Sequence, residues 1–161
     1  VDVAGMNPES RQGDKVVAEA FVQLCWPEDA ELDVADCPDL VPPLAVMAAL
    51  RGAGKLTRIT NAARLRIKES DRLASVTAVL NALGADIEEL PDGLVIRGAD
   101  SLRGGVTVDA HNDHRIAMMT AIAAARCEEA VTITGAECVK KSYPDFWEAY
   151  EKLGGQINRE G

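Results

Sequence analysis

Basic residues are scarce in this 161-residue chain, with 17 Lys and Arg against 26 Asp and Glu, a formal net charge of -9. That balance excludes a chain built to bind a phosphate backbone or an anionic membrane surface, and any anion it takes must meet a local cluster of cations. The four cysteines, Cys25, Cys37, Cys127 and Cys138, have no CxxC spacing, so they read as reduced, buried thiols of a cytosolic protein. Nothing at the N-terminus combines a basic start, an apolar run and a cleavage site, so a cytoplasmic location is expected. The longest apolar stretches, around Leu44 to Leu50 and Ile116 to Ala125, fall far short of the roughly 20 residues that span a bilayer. The chain also opens at Val1 rather than Met, which suggests a piece of something larger. What remains is 47% apolar and 27% charged, the composition of a globular domain large enough to bury a real core.

The pattern along the chain alternates short strands with helices. Val1 to Ala4 reads as a strand, and Asp14 as the cap of a helix over Lys15 to Leu24. Glu31 to Ala35 reads as a strand, and the Ala- and Leu-rich run Pro43 to Leu50 as a helix buried almost all round, its prolines suiting a first turn. Leu56 to Thr60 alternates as a strand, and Glu69 to Leu83 has the apolar spacing of an amphipathic helix ended by Gly84. Asp86 to Glu89 and Leu94 to Arg97 flank Pro91-Asp92-Gly93, a hairpin signal. Strand Val106 to Asp109, helix Asp113 to Arg126, strand Val131 to Thr134 and helix Pro144 to Leu153, with Pro144 in its first turn, complete the chain.

A repeat appears at an offset of 74 residues, where Val34 to Ala62 lies on Val108 to Ala136 without a gap, placing Asp39 over Asp113 and Ile59-Thr60 over Ile133-Thr134. Each copy continues into an amphipathic helix ending in Leu83-Gly84-Ala85 or Leu153-Gly154-Gly155. A strand, helix, strand, helix unit cannot hide both of its helices alone, so the copies are expected to pack together through their Ala-rich helices. The first helix, ending Leu24-Cys25-Trp26, then reads as the remnant of an earlier unit.

Three junctions concentrate polar chemistry. Arg64 to Leu73 carries four cations and two carboxylates at a strand-to-helix junction. Free N–H groups and the positive dipole end would add to Lys68 and Arg72 to make a seat for phosphate or carboxylate. The same run reads equally as a solvated helix start, with Glu69 and Asp71 answering the dipole. His111-Asn112-Asp113-His114-Arg115 opens the second Ala-rich helix. Two His and an Asp raise a metal site, but without HExxH spacing or a further ligand group the pattern favours anion binding by Arg115 over metal. The alternative is a plain N-cap at Asn112 or Asp113 with the histidines hydrogen-bonded to backbone, which is compatible with anion binding because Arg115 can project outward from the first turn. Cys138 to Pro144 again places cations, Lys140 and Lys141, before a helix start. Asp39 reads as a helix cap or as a catalytic base. The convergence of a carboxylate with several cations suits a substrate with two or more anionic groups.

Taken together, Arg66-Ile67-Lys68-Glu69-Ser70-Asp71-Arg72-Leu73, Asn112-Asp113-His114-Arg115-Ile116-Ala117-Met118 and Lys141-Ser142-Tyr143-Pro144-Asp145-Phe146 resemble, in order and spacing, the C-terminal half of the 3-phosphoshikimate 1-carboxyvinyltransferase (EPSP synthase) family. The resemblance covers essentially the whole chain. It implies an α/β (α+β) fold of repeated βαβαββ units packed around buried helices, the inside-out barrel of enolpyruvyl transferases. On that pattern the chain is part of a C-terminal domain, with 1–33 the remnant of one unit, 34–105 and 106–161 two related units, and the N-terminal domain missing. The implied reaction transfers the enolpyruvyl group of phosphoenolpyruvate to the 5-hydroxyl of shikimate 3-phosphate, with no metal or cofactor. Carried over, Arg72 and Arg115 hold the phosphoenolpyruvate carboxylate and Lys141 faces its phosphate. Asp39 accepts the proton of the attacking hydroxyl, Lys68 contacts the shikimate hydroxyls and stabilises developing charge, and Glu69 delivers a proton to the methylene carbon. Half a cleft is expected to give no turnover by itself. The alternative is a non-catalytic anion-binding or interaction module derived from the same fold.

Overall fold

The computed structural model describes Asn7 and residues 9–159, so the strand expected at Val1 to Ala4 lies outside the described residues. Five helices and six strands follow. A 3-10 turn over Gly13–Val16 leads into α1 (Val17–Cys25). Asp14 lies inside that turn, and the helix entry has no side-chain cap, a correction to the capping role expected of Asp14. Next come β1 (Ala30–Asp33), a 3-10 turn at Pro38–Leu40 and α2 (Val41–Ala49). Pro42 and Pro43 sit in the first turn of α2, where their missing N–H groups cost nothing. Seven of its nine residues are buried, as the absence of a polar face in the sequence predicts.

After β2 (Leu56–Thr60) the chain makes a 3-10 turn over Ala63–Ile67, and only then α3 (Arg72–Ala82). The helix expected to start at Glu69 thus starts three residues later. Asp71 is its N-cap, the side chain accepting a hydrogen bond from Ala74 N at 3.1 Å, and Lys68 is extended. The hairpin β3 (Asp86–Leu90) and β4 (Gly93–Arg97) forms as expected. Then follow β5 (Thr107–Asp109), α4 (His114–Ala124) capped by Asp113, β6 (Thr132–Thr134), a 3-10 turn over Ala136–Lys141, and α5 (Phe146–Lys152). Asp145 is the N-cap residue of α5, so Pro144 precedes the helix rather than sitting in its first turn.

Strands β1 to β4 form a four-stranded sheet in the order β1-β2-β4-β3, with β1 and β2 parallel and the others antiparallel, so β1, within the 1–33 stretch expected to be the remnant of an earlier unit, pairs with the 34–105 unit. The 106–161 unit contributes the parallel pair β5-β6. Helices α2, α3 and α4 pack on one another, with α2 and α3 also against β4, so the two units do meet through their Ala-rich helices. The main core runs from Leu24 and Leu32 through Leu44, Ile59, Leu73 and Leu80 to Ile116 and Met119. A smaller one gathers Ala117, Ala121, Val139 and Phe146 beneath α5. Fully burying a Leu or Ile side chain contributes about 1.5 to 3 kcal/mol, so most of the stability resides in the main core. All four cysteines are free thiols, and Cys25 is exposed rather than buried. Burial pushes the thiols of Cys37, Cys127 and Cys138 above the ordinary value, which leaves them poor nucleophiles. Among the described residues no helix is long and apolar enough to cross a membrane.

The repeat is visible in the ladders, with one correction to the ungapped match. Leu32 lies opposite Ile59, whereas Val108 lies opposite Ile133. Relative to the sequence offset of 74, β1 is therefore shifted by two residues against β2. An even shift keeps each side chain on its original face, so the core is unaffected. The change falls on the loop, which runs six residues from Asp33 to Asp39 but four from Asp109 to Asp113. Local turn chemistry repeats closely. Asp33 Oδ1 accepts from Ala35 N at 2.9 Å and Asp109 Oδ1 from His111 N at 2.7 Å. Asn61 and Gly135, also 74 apart, both adopt left-handed φ, 60° and 69°, a conformation open to Gly and tolerated by Asn.

Candidate functional site

Three chain segments meet at the N-terminal ends of α2, α3 and α4. The 3-10 turn before α2 presents Asp39. The extended stretch before α3 carries Lys68, Glu69 and Ser70, with Arg72 in the first helical position. The cap of α4 supplies Asp113 and Arg115.

Arg72 is the centre of the arrangement and is only 1% exposed. Its guanidinium forks onto Asp113, with Nε at 2.7 Å from Oδ2 and Nη2 at 3.3 Å from Oδ1. Nη1 donates to Asp39 Oδ1 at 2.8 Å, and Nη2 donates to Glu69 Oε2 at 2.5 Å. Burial works against the charged form, yet the bond to Asp113 and the fields of Asp113, Glu69 and Asp39 outweigh it and raise the Arg72 pKa. Asp113 is fully buried and satisfied on every side. Besides Arg72 it accepts from Ser70 Oγ at 3.0 Å and from Arg115 N at 2.9 Å, capping α4. Burial alone would lift its pKa, but Arg72, the Arg115 N–H and Ser70 hold it below the ordinary carboxylate value. Removing one partner of such a buried pair costs about 3 to 5 kcal/mol, because the other charge is left uncompensated.

Asp39 sits at the surface of this buried pair. Its Oδ1 is 3.3 Å from Lys68 Nζ as well as 2.8 Å from Arg72, and its Oδ2 accepts from Arg115 Nη2 at 3.0 Å. Arg115 Nη1 also donates to the Asp39 carbonyl at 3.2 Å. Burial would raise the carboxyl, but Arg115, Lys68 and Arg72 together hold its pKa below the usual range. Asp39 makes no cap bond to α2, so of its two sequence readings the cap is excluded.

The structure therefore brings together five of the six predicted residues: Asp39, Lys68, Glu69, Arg72 and Arg115. The sixth, Lys141, donates from Nζ to both the carbonyl and Oδ1 of Asn112, each at 2.7 Å. It thereby touches the residue next to Asp113. The expected convergence of carboxylate and cations goes further than one carboxylate: Lys68, Arg72 and Arg115 face Asp39, Glu69 and Asp113, three charges against three. A buried arginine demands counter-charges, and this acidic chain supplies them. Arg66 points away from the cluster, binding Asp71, Glu89 and the carbonyls of Leu90 and Pro91 at 2.8 to 2.9 Å. The donors left accessible to a ligand belong to the one-third exposed Lys68 and Arg115 and to the exposed Lys141.

Sequence reasoning gave Asp113 only a capping role, and missed Ser70 and Asn112 as partners. The overlay of Asp39 on Asp113 was the available signal for the first; Ser70 and Asn112 had none. His114 is buried, and its Nδ1 finds no partner among the described residues. Two surface hollows, about 580 Å³ beside Trp26 and about 420 Å³ between Leu24 and Arg126, include none of the clustered residues.

The family model described as EPSP synthase (3-phosphoshikimate 1-carboxyvinyltransferase) matches residues 3–150. The chain belongs to the EPSP synthase family. A 3-phosphoshikimate 1-carboxyvinyltransferase of Clostridium acetobutylicum is 47% identical over 98% of this chain and 39% of its own length. One from Clostridioides difficile is 50% identical over the same shares. Among solved structures, EPSP synthase from Acinetobacter baumannii superposes with a TM-score of 0.71 at 36% identity, over 78% of this chain and 29% of that one. The mixed α/β architecture expected from sequence is that of the EPSP synthase fold. The chain spans 28% to 39% of the length of the curated EPSP synthases it matches.

Proposed function

We propose that this chain supplies one half of an active site that transfers the enolpyruvyl group of phosphoenolpyruvate to the 5-hydroxyl of shikimate 3-phosphate, the EPSP synthase step of aromatic amino acid biosynthesis. The observation that carries the reading is the Asp39 carboxylate shared among Lys68, Arg72 and Arg115. A carboxylate held by three cations is ionised at neutral pH and oriented, as a proton acceptor must be. Its basicity is suppressed in this state. When a substrate carboxylate engages Arg115 by the two-pronged geometry an arginine offers, Asp39 loses one of its cations and becomes the stronger base. Lys68, which shares Asp39 Oδ1 with Arg72, stabilises charge developing at the hydroxyl. Glu69, the carboxylate that accepts from Arg72 Nη2, takes a proton from solvent, delivers it to the methylene carbon as the hydroxyl oxygen bonds to the adjacent carbon, and takes a proton back from the resulting methyl as phosphate leaves. Arg72, buried and engaged by Asp113, Asp39 and Glu69, sets the positions of the carboxylates and reaches the phosphoenolpyruvate carboxylate only as Asp39 or Glu69 gives up its guanidinium, and Lys141 meets the phosphate.

In this reading residues 1–33 are the remnant of one unit, 34–105 and 106–161 are two repeat-related units, and the missing N-terminal domain provides the opposite wall of the cleft. The location is cytoplasmic, in keeping with four free thiols.

The test is a chimera in which this chain replaces the matching segment of the C. acetobutylicum relative, assayed for phosphate release from the two substrates. Release is expected from the chimera and not from the 161-residue chain alone. A folded chimera that releases no phosphate overturns the enzymatic reading, and turnover by the chain alone overturns the half-site reading.

A further inference from the structure

His111 and Asn112 precede α4 in consecutive left-handed conformations, φ 52° each, which L residues other than Asn and Asp seldom take. The turn is fastened at both ends. Asp109 Oδ1 accepts from His111 N at 2.7 Å, and the Lys141 ammonium donates to Asn112 O and Oδ1 at 2.7 Å each. An ammonium has three N–H donors, and among the described residues no acceptor is recorded for the third. Asn112 is covalently next to Asp113, the buried counter-ion of Arg72.

We propose that Asn112 is a positioning residue for Lys141: it fixes the ammonium one residue from Asp113 and leaves one N–H donor for an anionic group, phosphate by chemistry. This inference rests on the anion role proposed above for Lys141. The choice of side chain follows from the geometry. Glycine would accept the left-handed backbone but has no Oδ1. Aspartate would keep the acceptor and tolerate the backbone but add a negative charge beside the anion. A purely conformational role for Asn112 would therefore leave N112G unchanged, whereas a positioning role would not.

The experiment measures acetylation of Lys141 by limiting acetic anhydride in the 161-residue chain, read by mass spectrometry against its exposed neighbour Lys140, with and without inorganic phosphate. N112G is expected to raise the Lys141 to Lys140 ratio roughly threefold or more, since one of two hydrogen bonds to a charged group is lost, while N112D restores the wild-type ratio. Phosphate is expected to protect Lys141 in the wild type and to protect it less in both variants. A folded N112G with the wild-type ratio overturns the proposal. If N112G loses its far-UV circular dichroism, N112D decides: shielding of Lys141 with weakened phosphate protection supports positioning, and wild-type phosphate protection overturns it. Absence of phosphate protection in the wild type, with the ratio still responding to N112G, removes the anion role and leaves only the tether, so the two failures are distinguishable.

Discussion

The two repeat units place an aspartate at the same sequence position and use it for opposite purposes. Asp113 is fully buried, caps α4 and neutralises Arg72, whereas Asp39 is partly exposed, caps nothing and faces three cations. The difference comes from the two extra residues between β1 and Asp39, which carry the carboxylate past the cap position. The offset of 74 also sets Arg72 over Phe146 and Arg51 over Ala125. Where the first unit buries charge, the second buries apolar surface, with Tyr143, Phe146, Trp147 and Tyr150 meeting mostly edge to face. One scaffold thus places arginines in one unit where the other has apolar side chains, while both supply the charged cluster, the second through Asp113 and Arg115.

The sharpest way to break this contrast is to remove both aspartates in turn. D113A should cost about 3 to 5 kcal/mol in urea unfolding, the penalty for stranding a buried charge. D39A should cost under about 1 kcal/mol, as a partly exposed ion pair does. Equal losses would show that the two sites are not divided as described.

Next is Arg51, nearly buried at the end of α2 and donating to the carbonyls of Leu24, Trp26, Glu28 and Leu56 and to Thr57 Oγ1. R51A should destabilise by about 2 to 4 kcal/mol through unpaired buried carbonyls, and A125G, at the equivalent place in the second unit, by under about 1 kcal/mol. Thermal denaturation of both variants checks this.

Acid provides the third test. Asp39 and Asp113 are both depressed in the folded state. Their stabilisation is therefore present above the ordinary Asp value of about 3.9 and is lost as pH falls below it toward the folded value. Wild-type stability should drop below about pH 4, and D39N should show a shallower drop. An unchanged acid slope in D39N would contradict the charge sharing at Asp39.

The smallest effect separates the two helix caps at positions 71 and 145. D71A should cost about 1 kcal/mol, because Asp71 caps α3 through Ala74 N. D145A should be near neutral, because Asp145 makes no cap bond.

Helices, strands and the hairpin were legible because their causes are local: prolines in the first turn of α2, apolar spacing along α3, Pro91-Asp92-Gly93 between two alternating runs. Boundaries were less so. The start of α3 moved from Glu69 to Arg72 because Asp71 takes the N-cap position and Ser70 donates to Asp113, 43 residues away, a contact no local pattern announces. Pro144 likewise fell outside α5 because Asp145 took the N-cap position.

The sequence by itself determined the element types, the repeat, the family and the residues from which a site would be built, since each is written in spacing and side-chain identity. Only the tertiary structure decided which aspartate is buried, that the cations of the main cluster are balanced by carboxylates, and that Lys141 is tethered to Asn112. Those outcomes depend on the two-residue shift in one ladder and on the burial of Arg72, and both arise from contacts between residues 27 to 41 apart in the chain.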